Sequence, residues 1–165
     1  MRILIAYATK TGTSRDMCML LASLLPNHDV TLADLGETAP SPLEFDYVVL
    51  GSPVRMGKLH RAARAYLKAQ GDALAGVAHT LFLCCAFADQ FENYAEMLYP
   101  KKLLERADEV IYFGGDLNLS RKRGIDKLLV RMMRSAIRDS EDDEAMLPGP
   151  LPEHVRLLAD RLRGL

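Results

Sequence analysis

The sequence predicts an α/β fold. The expected architecture is a doubly wound, five-stranded parallel sheet in the order 2-1-3-4-5, with helices on both faces, making a three-layer sandwich. Three observations carry this. Short, continuously apolar runs such as Ile3-Leu4-Ile5-Ala6-Tyr7 and Tyr47-Val48-Val49-Leu50 read as strands buried on both faces, the habit of parallel sheets. These runs alternate with segments of helical periodicity, which builds strand–helix–strand units. The first run leads straight into a turn rich in hydroxyls, Thr9-Lys10-Thr11-Gly12-Thr13-Ser14, at the head of a helix.

The elements follow in order. The first strand spans about residues 2–8 and the first helix about 13–25, carrying Met17, Leu20, Leu21 and Leu24 and ended by Pro26-Asn27-His28. Val30 to Ala33 is a weaker second strand. Pro40 and Pro42 leave room only for a single turn at Pro42 to Phe45. Asp46 to Pro53 is the clearest strand after the first, followed by a loop from Pro53 to Lys58 and a helix over about 59–74. His79 to Cys85 is the fourth strand, 86–93 a loop, and about 91–106 a helix. Glu109 to Gly114 is the fifth strand. A basic stretch and the acidic Ser140 to Glu144 come next, and Pro148-Gly149-Pro150 introduces a last helix over about 152–163.

Composition narrows the class. The 165 residues are expected to form one domain, 1–165, and with 49% hydrophobic and 26% charged residues they can build an ordinary globular core. A net charge of −1 gives no global field for nucleic acid. No apolar run approaches the roughly 20 residues that span a bilayer, and the chain enters a strand without a leader. Cys18, Cys84 and Cys85 form neither a disulfide framework nor a metal pattern, which points to the cytoplasm. Cys84 and Cys85 read as small buried hydrophobes rather than redox groups.

In a 2-1-3-4-5 sheet a ligand sits at the carboxyl ends of the strands, where the first and third diverge. Loops 8–14, 52–60 and 86–94 converge there. The first has the makings of an anion site. Helix-head amides have no partners inside the helix, the dipole there is positive, and Thr9, Thr11, Thr13 and Ser14 add hydroxyls beside Gly12. The loop is neither G-x-x-x-x-G-K-[ST] nor G-x-G-x-x-G, and it has no cysteine for a phosphatase. It suits a phosphate monoester held by neutral donors. The same residues also make an ordinary helix cap, and the stretch alone does not choose between the two. A phosphoacceptor receiver is excluded, because Ala8-Thr9, Gly51-Ser52 and Gly114-Gly115 stand where its acids and lysine belong.

Tyr7-x-Thr9-x-Thr11-Gly12-x-Ser14 resembles the signature of the flavodoxin family, with Ala6 and Ser14 as small departures. The resemblance implies non-covalent FMN and electron transfer through it. Thr9, Lys10, Thr11, Gly12, Thr13 and Ser14 would wrap the FMN phosphate. Ser52, Pro53, Val54, Arg55, Met56 and Gly57 would flank one face of the ring, with Met56 or the arm of Arg55 as cover and Gly57 free to present its backbone to flavin N5. Ala86, Phe87 and Phe91 would lie on the other side, although Phe91 and Tyr94 read equally well as helix core. Arg55, Lys58 and His60 would be cations near the flavin, with Asp89 and Glu92 opposing them. No acid or base is required, so no catalytic residue is assigned.

A second layer of resemblance is to the branch that includes the quinone-dependent protoporphyrinogen IX dehydrogenases. It rests on Arg55-x-Gly57-x-x-His60, on Gly114-Gly115 and on Asp126 to Met133. It implies a redox partner protein, a quinone or a porphyrinogen as the exchange partner. The chain departs from those dehydrogenases between Cys85 and Asp108, where they carry a long inserted loop and this sequence has room for a loop and one helix. The basic segment 121–138, with an apolar stripe of Leu128, Leu129, Met132, Met133 and Ile137, reads as a sheet-covering helix or as a contact for an anionic membrane surface or acidic partner. An alternative of another class is a non-catalytic module that keeps the fold, which the lack of a ring-stacking aromatic in the second loop would suit.

Overall fold

Alternation along the strands decides the layers. In β1 (Arg2–Tyr7), Ile3, Ile5 and Tyr7 join one apolar cluster while Leu4 and Ala6 join another. The computed structural model describes residues 1–115 and 149–165. Within them β1 is followed by α1 (Thr13–Ser23), β2 (Asp29–Asp34), β3 (Tyr47–Arg55), β4 (Lys58–Leu59), α2 (Arg61–Leu74) and β5 (Ala78–Cys84). Then come α3 (Phe91–Leu98), α4 (Lys101–Leu104), β6 (Glu109–Tyr112) and α5 (Pro152–Arg163), with single 3-10 turns at Pro42–Glu44 and Ala88–Gln90.

The main sheet runs β2-β1-β3-β5-β6, every pair parallel, which is the expected 2-1-3-4-5 order of the long strands. One face carries α1 and α5: Met17, Cys18 and Leu21 meet Val155, Leu158, Ala159 and Leu162 over Ile3, Ile5, Val49, Phe82 and Phe113. Phe82 and Phe113 stack with centroids 4.6 Å apart. The other face carries α2, α3 and α4, whose Ala63, Tyr66, Ala95 and Leu103 cover Leu4, Val48, Leu50, Leu81 and Leu83.

Two details differ from the sequence reading. β3 does not stop at Pro53. It runs on to Arg55 and folds back as an antiparallel hairpin, Val54 opposite Leu59 and Arg55 opposite Lys58. The helix expected over 91–106 is two helices, because Pro100 disfavours the helical region for the residue before it, and Tyr99 is extended at φ −93°, ψ 142°. The basic segment 121–138 and the acidic 140–144 lie outside the described residues. Among the described residues, no helix is long and apolar enough to cross a membrane.

Candidate functional site

Register brings the three loops together. Tyr7 lies opposite Gly51, Gly51 opposite Phe82, and Pro53 opposite Cys84, so β1, β3 and β5 end side by side at their carboxyl edge. The Ala8 amide donates to the Gly51 carbonyl at 3.1 Å, tying the first loop to the third strand.

The first loop is built from its own hydroxyls. Thr9 Oγ1 accepts from the Gly12 amide at 3.0 Å, curling the chain into a left-handed turn at Gly12 (φ 96°), from which α1 starts. The Gly12 carbonyl takes the first helical bond, from the Asp16 amide at 2.9 Å. Lys10 stands exposed on the rim, with Thr9, Thr11 and Gly12 half-buried behind it. Thr13 and Ser14 are buried. Ser14 is only 1% exposed, and its Oγ has no hydrogen-bond partner among the described residues. Burial lifts the neighbouring Cys84 thiol to about 12, and the Ser14 hydroxyl draws it slightly back. A thiol is a weak partner, and no bond of ordinary geometry forms between the two. A buried hydroxyl left open beside helix-head amides is what a phosphate oxygen would satisfy, so the residues present fit a phosphate ester.

The second loop is a rigid hairpin. Ser52, fully buried, donates from Oγ to the Pro53 carbonyl at 3.0 Å and accepts from the His60 amide at 2.9 Å. Its hydroxyl therefore braces the two ends of the hairpin. Met56 (φ 49°) and Gly57 (φ 70°) make the two-residue tip with both φ angles positive, as a type I′ hairpin turn requires. Glycine accepts that conformation freely. Met56 does so under strain, and the residue is 84% exposed at the hairpin tip. His60 caps α2, its Nδ1 accepting from the Ala62 amide at 3.3 Å. Burial, then Arg61 and other nearby cations, push its pKa below the ordinary imidazole value. That shift favours the neutral ring, where the sequence reading had His60 as a third cation. Lys10, Pro53, Arg55, Lys58 and His60 border a groove of about 420 Å³ shared by the first two loops.

The third loop, Cys85 to Gln90, is pinned from below. Tyr112 donates its hydroxyl to the Cys85 carbonyl at 2.8 Å, and the Cys85 thiol donates to the Phe87 carbonyl at 3.4 Å. Ala86 and Phe87 are half-buried on the loop itself. Phe91 turns to the sheet edge, its ring 5.5 Å from Tyr112, and lines a second groove along β6 with His154 and Arg161. Of the two aromatics assigned to this side of the site, Phe87 is thus the one on the loop. Burial raises the Cys85 thiol to about 11, so neither it nor Cys84 is a thiolate at neutral pH. Among the described residues, no cluster of acids, histidines and cysteines could hold a metal ion.

Comparison with known proteins gives the family and the fold. The family model described as Flavodoxin domain matches residues 4–144. The chain therefore belongs to the flavodoxin-domain family. It is similar to a protein of Escherichia coli K12 named protoporphyrinogen IX dehydrogenase [quinone], 24% identical over 143 residues, covering 81% of this chain and 78% of that one. Among solved structures it resembles flavodoxin 1 of Bacillus cereus, with a TM-score of 0.52 at 14% identity over 84% of this chain and 99% of that one. It also resembles a Fusobacterium nucleatum flavodoxin solved with flavin mononucleotide bound, with a TM-score of 0.51 at 16% identity over 82% of this chain and 98% of that one. At these identities the structural likeness speaks for the fold.

Proposed function

We propose that this protein is an FMN-dependent redox protein that exchanges electrons through a non-covalently held flavin. The observation that carries the reading is the buried Ser14 hydroxyl, open beside the first amides of α1 in the loop that bears the flavodoxin signature. Bound FMN supplies the electron-transfer chemistry, and the chain supplies anchoring, orientation and shielding. Thr9, Thr11 and Ser14, with the helix-head amides of Thr13 and Ser14, would hold the phosphate, and Lys10 would stand at its rim. Val54 to Gly57 would cover one face of the ring, with Met56 as the apolar lid and the Gly57 backbone toward N5. Ala86 and Phe87 would lie on the other. Ser52 acts one step back, keeping the hairpin closed. No side chain is needed as acid or base.

The finer reading is a quinone-linked dehydrogenase acting on a porphyrinogen. It is supported by the name and coverage of the Escherichia coli relative. The short path from Cys85 to Asp108, a 3-10 turn and two short helices, weighs against it. A redox partner protein is the alternative exchange partner. The test is the visible spectrum of the purified protein, with FMN titrated into the flavin-free form. Flavin absorbance with one-to-one binding is expected, after which quinones are the first acceptors to try. No binding at tens of micromolar FMN would make the first loop a helix cap and the protein a non-catalytic module of the same fold.

A further inference from the structure

We infer that the outward face of α2 is the docking surface for a small acidic redox protein that exchanges electrons with the flavin. The inference rests on the FMN reading, since it names the partner of that site. Arg61, Arg64 and Lys68 recur at the spacing that brings residues onto one face of a helix, and all three are exposed. None makes an ion pair among the described residues. The acid of α2, Asp72, is taken by Lys102 of α4 at 2.6 Å. Tyr66 ties the loop before β3 to α2 by donating to the Pro40 carbonyl at 2.8 Å, yet Glu37 and Glu44 of that loop pair with none of the three. On a chain of net charge −1 this stripe is a local excess of positive charge.

The cations stand where they cost the helix. The first turn of α2 carries Arg61 and Arg64 and no acid, although the unpaired amides of a helix head already make that end positive. Arg61 also lowers the pKa of His60, the residue that caps the helix. Departures from local preference of this kind gather at functional surfaces. The shape of the face selects the partner. Its other exposed residues include Ala65 and Ala69, so it offers no concavity for a small ligand, no large apolar side chain to enter a bilayer and no aromatic to stack on a base. The stripe starts next to the hairpin, where Lys58 and Met56 are exposed. A protein seated on α2 therefore reaches the loop that would cover the flavin. Complementary charge chiefly speeds encounter, which suits the small, short-lived interfaces of electron transfer.

The test is calorimetric titration of a plant-type ferredoxin, a small acidic redox protein, into FMN-loaded protein with both oxidised, so that binding is read without electron transfer. One-to-one binding is expected, weakened at least about tenfold by raising salt from about 20 to 200 mM. Arg64→Gln/Lys68→Gln should weaken it at least about fivefold, and Arg156→Gln/Arg163→Gln, the same change of charge on α5 across the sheet, by less than about twofold. The Tm of the α2 variant should not fall, because the exchange removes no ion pair. Four results would overturn the inference: no binding at low salt, equal weakening by the two variants, a lower Tm for the α2 variant, or tighter binding to phosphatidylserine vesicles than to ferredoxin through the same two residues. The flavin titration keeps the two readings apart. FMN bound without ferredoxin binding overturns the docking surface alone. Ferredoxin bound through the same residues by a protein that takes no FMN overturns the flavin reading and leaves the docking surface.

Discussion

Ser14→Ala should move stability and cofactor affinity in opposite directions. In the free protein the Ser14 Oγ is buried without a hydrogen-bond partner among the described residues, and a polar group so placed costs about 1–3 kcal/mol by mutational comparison. The Cys84 thiol recovers a little of this, so the low end applies, and alanine adds a small gain in helix propensity. The flavin-free variant should be about 1 kcal/mol more stable, raising Tm by about 2–4 °C for a chain of this size. With FMN the sign reverses. A hydroxyl bonded to a phosphate is charge-assisted, about 1.5–3 kcal/mol, so affinity should fall about 10- to 150-fold. The assays are thermal unfolding of the flavin-free protein and quenching of flavin fluorescence on titration. A lower Tm for the flavin-free variant would show that the hydroxyl is already satisfied. Unchanged affinity would show that the phosphate does not reach it.

Other expectations follow from local geometry. Met56→Asn should stabilise the protein by about 0.5–1 kcal/mol in urea unfolding, because asparagine tolerates the left-handed turn that methionine holds at φ 49°. Gly51→Ala should destabilise by about 3 kcal/mol in the same assay, since an added Cβ would lie 2.3 Å from the Phe82 ring, itself stacked on Phe113. Arg2 donates to both Asp46 oxygens, from its amide at 2.7 Å and its guanidinium at 2.9 Å, and holds that carboxyl below its ordinary 3.8. A depressed carboxyl contributes fully above its unfolded pKa and is lost as pH falls through its folded one, so Asp46→Asn should flatten the fall of the urea midpoint below about pH 4. Iodoacetamide at neutral pH should leave Cys84 and Cys85 unmodified in the folded protein and label both in urea, read by mass spectrometry.

The parallel sheet was legible because its strands are buried on both faces, which leaves continuous apolar runs that only turns and helices interrupt. The first loop was legible because an anion site at a helix head needs residue types that stand out: Thr9, Thr11, Gly12 and Ser14. The hairpin was not. Pro53 reads as the end of a strand, yet its missing amide is harmless where β3 leaves the sheet, and β4 is two residues long, too short for any period to show. The break at Tyr99-Pro100 was available in the sequence and was outweighed by helical spacing on both sides. The lowered pKa of His60 comes from burial and neighbouring cations that only the folded hairpin assembles, and the inward role of Ser52 depends on the backbone of His60 and Pro53.

The seating of α1 on α5 sets a schedule for the cell. Leu21 and Val155 share one apolar cluster yet lie 134 positions apart, 155 minus 21, so α1 cannot be covered while the chain between them is still being made. At about 5–20 residues per second, ribosomal synthesis leaves that face of the sheet open for roughly 7–27 seconds, a window in which exposed apolar surface invites chaperones or aggregation. The loop that heads α1 is translated well before α5, the helix on which α1 is seated. Nascent chains stalled before Val155 should not retain flavin.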